Sequence, residues 1–462
     1  MSSLNSLPTP ATRRLGLLAL GLATLLPMLG GSLANMVLPA LGQAFAVPFA
    51  SLQWVLVAYL LGITCLTVVA GRLGDRFGRR RLLLLGLGLF ALASLLCALA
   101  PTIGWLIAAR ALQGVAAACM LSLALAMVGQ LVPPARRGWG MGLLGTLSAC
   151  GTALGPSFGG LLTASFGWQA PFLLLVPLSL LALGCARLGL PRDGSSPQQE
   201  RMNLASLSLL VAALLCYGLA LTLGGALALW WGAGALLVTG SFIRRERRAP
   251  VPLLPLALLG APGLSNGLLA SALVASVMVL TLLIGPFYLR GVFGLGLGTV
   301  GLMISGGPLL AALTGMPAGW LVDRLGARQV VRLGLAVMGA AALGLAGAAG
   351  QFGPLGYLLP ILLLTAGYAL FQTANNSAVV GGASEQTRGA VAGLLTLSRN
   401  LGQLTGVAGL GGLFAALVGE QGLTLASELV FGTRALFALS TLLIGLAFWL
   451  VGRRREGVPV RA

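Results

Sequence analysis

Two arginines interrupt long apolar runs, Arg110 and Arg399, and an arginine at membrane depth demands either a buried partner or a water-filled cavity. Arg110 shares a helix face with Gln113, Gly114 and Ala117, which sets an amide beside the guanidinium. It reads either as a cavity group or as a clamp on backbone carbonyls. Arg399 reads either as a cavity group or as a side chain snorkelling from a helix end. The other interior polar residues are Asn35, Gln53, Tyr59, Thr64, Gln372, Asn375, Asn376, Asn400 and Gln403. Each is more commonly a helix-to-helix hydrogen bond than a ligand contact, and Tyr59 and Asn375 are the preferred cavity residues among them. The chain has no histidine, which excludes imidazole relays, catalytic triads and histidine metal sites. Its six cysteines all fall in apolar runs without the paired spacing of zinc sites or disulfides. None of the 9 acidic residues lies within a run. Clustered catalytic groups are therefore missing, and neither an enzyme nor a cofactor is expected. The remaining chemistry is recognition of a neutral or anionic molecule by guanidinium and amide groups.

The elements that must hold these residues are membrane helices. The 462 residues are 58% hydrophobic and 8% charged, whereas soluble domains carry about 25% charged residues. All 28 basic residues are arginine, gathered in short clusters between apolar runs. Membrane proteins place their positive charge that way, and it sets aside nucleic acid as a partner. About fourteen runs are long enough to span a bilayer, starting near Leu15, Ser51, Leu82, Gly104, Gly138, Trp168, Leu204, Ala226, Gly263, Gly296, Val331, Leu355, Gly389 and Gly432. With an uncleaved first span and a cytoplasmic N-terminus, almost every arginine cluster falls on the cytoplasmic side, and only Arg290 and Arg434 fall outside. An even count returns the C-terminus to the cytoplasm. Arginine in place of every lysine, among abundant Leu, Gly and Ala, suggests a GC-rich bacterial source.

A ten-residue pattern occurs twice. Gly71, Arg72, Leu73, Gly74, Asp75, Arg76, Phe77, Gly78, Arg79 and Arg80 match Gly319, Trp320, Leu321, Val322, Asp323, Arg324, Leu325, Gly326, Ala327 and Arg328 at six of ten positions. Each copy joins the second and third spans of a set of six, provided the two spans between about 201 and 248 are an insertion. The expected organisation is an all-α polytopic protein: one six-helix bundle in 1–200, two inserted helices in 201–248 and a second bundle in 249–462. Repeated helical halves with a site at mid-membrane are the architecture of alternating-access carriers.

These loops, with two further motifs, give the chain its resemblance to the major facilitator superfamily, in particular to its fourteen-span drug:proton antiporter branch. Arg110, Gln113 and Gly114 are similar to that family's R-x-x-Q-G signature in the fourth span. Gly145, Gly151, Gly155, Pro156, Gly159 and Gly160 resemble the fifth-span motif of exporters. The resemblance implies two rocking six-helix bundles and a monomeric efflux carrier of hydrophobic or weakly anionic small molecules in a bacterial inner membrane. A dedicated lipid or metabolite exporter is the alternative, and a transport-inactive sensor or scaffold is the reading from another class. The loops are expected to act as conformational switches, with Asp75 accepting bonds from arginines and facing a helix N-terminus of the opposite half. Gly151, Gly155 and Gly159 form one smooth stripe, expected to pack on a helix of the other half, with Pro156 inviting a bend. The branch carries an acidic residue in its first span, and here that position is Gly30. The usual proton carrier is therefore missing, and protons stay open as the coupling ion.

Overall fold

The computed structural model describes residues 10–133, 137–191, 193, 204–223, 225–249, 252, 256–260, 263–383, 387–422 and 425–452. The first bundle is α1 Pro10–Phe45, α2 Phe49–Phe77, α3 Arg79–Ala98, α4 Ile103–Leu131, α5 Arg137–Phe166 and α6 Ala170–Gly189. An antiparallel pair follows, α7 Leu204–Thr222 and α8 Gly225–Glu246. The second bundle is α9 Leu264–Phe293, α10 Leu297–Leu325, α11 Ala327–Ala348, α12 Leu355–Gly381, α13 Arg388–Thr405, α14 Gly411–Gly422 and α15 Ala426–Gly452. A π-helical turn, Gly406–Leu410, joins α13 to α14, and together the three form a single span. Among the described residues, thirteen helices or joined helices are long and apolar enough to cross a membrane, and the glycine-rich α5, with 30 residues, has the length to do so as well. The chain is an all-α, multi-pass membrane protein, and no strand occurs among the described residues.

Lipid is as apolar as leucine, so packing between these helices depends on close approach at small residues. Gly114 shows the device. A Cβ there would stand 2.2 Å from the Tyr59 carbonyl oxygen, so α4 lies directly against α2 only because the residue after Gln113 has no side chain. Gly151 and Gly155 let α5 touch α1 in the same way, at the Leu25 carbonyl (2.4 Å) and Ser32 (2.3 Å), and Gly159 sits against Leu33 and Met36 of the same helix. The expected contact of this stripe with the other half is thereby corrected, because α1 belongs to the same bundle. Residues four apart share a face, and the face rotated one residue onward carries Pro156 and Gly160. That face meets α10 of the second half: a Cβ on Gly160 would fall 2.4 Å from the Leu297 carbonyl, and one on Gly301 would fall 2.3 Å from that of Pro156. Gly145 has open space beside it.

The inserted pair is held unequally. α7 packs on α2, on α13 and on the π-turn, whereas α8 exposes Leu229, Trp230, Leu236 and Leu237 by between 73% and 78%, as a lipid-facing helix does.

Candidate functional site

The first repeated loop closes α2 with the Gly78 N–H on the Gly74 carbonyl, and the second closes α10 with the Gly326 N–H on that of Val322, each at 2.9 Å. Both glycines have positive φ, 97° and 82°, which glycine adopts without steric penalty. Arg80 then donates Nη2 to the Arg187 carbonyl at the end of α6, and Arg79 donates Nη1 to that of Ala126 in α4. Arg328 donates Nη2 to the Gly452 carbonyl at the end of α15. Asp193, just beyond α6, accepts the backbone N–H groups of Arg80 (2.9 Å) and Arg81 (3.1 Å), so a carboxylate caps the positive end of α3. Arg76 and Arg324 lie over the rings of Phe77 and Trp320. Each of these contacts stays within its own half. The Asp75 side chain lies outside the described residues, Asp323 is exposed, and Gly71 and Gly319 have open space beside them. Asp193 escaped the sequence reading because a lone acid in a polar linker carries no periodic signal.

Arg110 is fully buried. Its Nε donates to the Val55 carbonyl at 3.1 Å and its Nη1 donates to that of Gly30 at 3.2 Å and to Gln113 Oε1. Gln113 passes the chain on, with Nε2 donating to Ser94 Oγ at 2.7 Å, and Ser94 donates to the Phe90 carbonyl. The guanidinium carbon sits 4.1 Å from the centre of the Tyr59 ring, whose hydroxyl donates to the Pro27 carbonyl at 2.6 Å. Arg110 thus ties α1, α2 and, through Gln113, α3 onto α4. The two carbonyl bonds are those the clamp alternative expects, while Nη2 is buried without a hydrogen-bond partner. Asn35 is also buried, with Nδ2 on the Gly31 carbonyl and Oδ1 unpartnered.

Arg399 stands in a different setting. It lines a cavity of about 160 Å³ with Ser271, Tyr368, Gln372, Asn375, Asn376 and Thr396, at the ends of α9, α12 and α13 nearest the arginine-rich loops. Gln372, Asn375 and Asn376 follow one another at helical spacing, and Asn375 is fixed by donating Nδ2 to the Gly267 carbonyl at 3.1 Å. The cavity can offer guanidinium and amide donors to an anionic or polar group, with Phe371, Val380 and Leu395 as apolar wall. The structure therefore brings Asn375 and Arg399 together in one place and Tyr59, Arg110 and Gln113 together in another. Tyr368, Ser271 and Thr396 were missed, since single polar residues in apolar runs give no pattern of their own.

At the face away from the arginine-rich loops the two halves meet. The Phe49 ring contacts those of Phe287 and Phe414 at 5.1 and 5.8 Å. Ser157 donates to Ser305 at 2.6 Å across α5 and α10. Gln53 donates Nε2 to the Val407 carbonyl at 3.0 Å.

The sequence profile of the Major Facilitator Superfamily matches residues 20–407 and 293–461. The chain is 32% identical over 410 residues to the uncharacterized transporter YebQ of Escherichia coli (strain K12), covering 86% of this chain and 89% of that one. It is 29% identical to the tetracenomycin C resistance and export protein of Streptomyces glaucescens, covering 87% and 76% respectively. Among solved structures, a bacterial homolog of the human lysosomal transporter Spinster, inward-facing and unoccupied, superposes with a TM-score of 0.71 at 17% identity over 96% of each chain, a likeness of fold. The chain is a multi-pass membrane transporter and belongs to the Major Facilitator Superfamily.

Proposed function

We propose that this transporter is an alternating-access efflux carrier for hydrophobic or weakly anionic small molecules. It would act as a monomer in a bacterial inner membrane, with the arginine-rich loops and both termini in the cytoplasm. The observation that carries the reading is the arrangement of the Arg399 cavity. It lies toward the arginine-rich side while the halves touch at the other, as expected of a carrier poised to load from the cytoplasm. The cavity walls named above hold guanidinium and amide but no carboxylate, a donor set that suits an acceptor-bearing amphipath better than a lipophilic cation. Arg110, bonded through Nε and Nη1 to three groups inside the first half, serves in this reading to hold that half rigid while it rocks. The Gly160 and Gly301 contact is the natural pivot, because backbones in direct touch can roll without side chains interlocking. The export motif and the export function of the Streptomyces relative support the direction.

A dedicated metabolite or lipid exporter is the second reading, favoured by the absence of a carboxylate among the described residues that line the cavity. The test is reconstitution into liposomes with an imposed pH gradient, offered cationic, neutral and anionic amphipaths. Uptake of anionic and neutral probes supports the proposal, and uptake of cations alone overturns it. A single accepted chemical class points to the dedicated exporter, and no transport of any probe by well-folded protein points to a sensor or scaffold.

A further inference from the structure

The π-turn Gly406–Leu410 interrupts the span formed by α13 and α14, with Gly406, Val407 and Ala408 buried. A π-turn bonds residues five apart, which shifts the carbonyl register locally and releases acceptors from the helical ladder; such turns are frequent at functional positions. One acceptor here, the Val407 carbonyl, takes a bond from Gln53 Nε2, which comes from α2 of the opposite half. Gln53 is only 2% exposed. Its seat is shaped by a glycine, since a Cβ on Gly411 would stand 2.3 Å from Gln53 Nε2. On its other side the turn is held against α9, where a Cβ on Gly406 would fall 2.4 Å from the Ser276 carbonyl.

A second donor reaches the start of the same turn. Thr405 Oγ1 gives its proton to the Leu401 carbonyl, so in the 2.6 Å bond with Tyr217 the tyrosine hydroxyl is the donor. Tyr217 belongs to α7, and α7 continues along the turn with Leu221 beside Gly409 and Gly412. The next residue, Gly218, meets Leu61 of α2. Three bodies therefore converge at the turn: the first half through Gln53, the second half through the turn itself, and the inserted pair through Leu221 at Gly409 and Tyr217 at Thr405, the residue before the turn.

We propose that the π-turn is the receiving half of a latch closing the face away from the arginine-rich loops, with Gln53 as its bolt and Tyr217 fastening the inserted pair to the second half. When that face opens, Gln53 leaves the Val407 carbonyl, while the Tyr217 bond carries α7 along with α13. The inserted pair is then part of the gate and not a passive addition to a twelve-helix carrier.

The test follows the opening directly and requires no knowledge of the substrate, so it can fail independently of the proposed export. Spin labels at Gln43→Cys and Ser427→Cys, both at exposed positions of the closing face, report its width in a background with the six native cysteines replaced. Gln53→Met keeps the length of the side chain but removes the donor, and it should raise the wide population roughly five- to tenfold, as loss of one buried hydrogen bond would. Gln53→Glu separates donation from packing. Ionised, it faces a carbonyl with no proton to give and the face should open; protonated at low pH, it can donate again and the face should close. With a label at Leu227→Cys, the distance to Ser427→Cys should stay fixed as the face opens, and Tyr217→Phe should let it vary. An unchanged width distribution in folded Gln53→Met, or a Gln53→Glu protein insensitive to pH, overturns the bolt. A Leu227 label that keeps its distance to Gln43 instead overturns the role of Tyr217.

Discussion

Arg80 and Arg328 stand at the same position of the two repeated loops, and each donates Nη2 to a backbone carbonyl at the end of the sixth helix of its own half, Arg187 at 2.6 Å and Gly452 at 3.2 Å. The pseudo-symmetry of the sequence is thus carried into a particular bond. Arginine is suited to it because the last carbonyls of a helix lack intrahelical partners and carry partial negative charge. Replacing either by glutamine should lower stability by about 0.3–1 kcal/mol, the range for charges at exposed helix ends. A detergent melting curve reads this, and the double variant should show the sum, since the two sites lie in separate bundles.

Asp193 occupies the amino end of α3 and touches the same loop. Asp193→Ala removes the carboxylate that accepts both backbone N–H groups and should destabilise the first half by about 1 kcal/mol. Gly78→Ala should be worse by a further ~1 kcal/mol or more, because the new Cβ combines a φ of 97° with a contact of 2.3 Å to the Asp193 carboxylate. Relative unfolding midpoints of the two variants check the order.

Arg110 and Arg399 should fail in different ways. Arg110→Met deletes bonds to Val55, Gly30 and Gln113 inside a closed environment, so about 2–4 kcal/mol of stability should be lost and the protein should reach the membrane in reduced amount. Arg399→Gln removes a charge from a cavity wall, so folding and expression should hold while the KM for anionic substrates rises about tenfold and that for neutral ones changes little. Fluorescence-detected size exclusion beside transport kinetics separates the two.

Gly155 and Gly160 differ by five residues and point at different partners. Gly155→Val should weaken the packing of α5 on α1 and show as lost stability. Gly160→Val should leave each half folded but hold α5 away from α10, which shows as a wider opening between spin labels on the closing face together with slowed turnover.

The fold was legible because its signals are long and periodic: apolar runs of bilayer length and an arginine pattern concentrated toward one side both follow from the cost of placing charge in hydrocarbon. The duplicated loop gave the two halves for a similar reason, since a helix-to-helix turn needs glycine at Gly78 and at Gly326. The site was legible only in part. Arg110 and Gln113 were recognised as neighbours from their spacing, but the choice between clamp and cavity depends on what lies opposite, and that is a property of α1 and α2. The stripe on α5 failed differently. Its periodicity correctly marked a smooth face, yet periodicity names no partner, and the neighbour turned out to be α1. Asp193, Gln53 and Tyr217 act across long separations in sequence, through single side chains, where no local pattern can form.

α8 meets the rest of the protein mainly through α7, and it presents Leu229, Trp230, Leu236 and Leu237 outward. A helix so mounted behaves as a float. When bilayer thickness departs from its length, α8 can tilt at modest expense without dragging on the Arg399 cavity, which lies across a different set of helices. Lipid composition should accordingly reach the transporter through the edge that α7 guards, altering how often that face parts and leaving ligand affinity at the opposite end largely untouched.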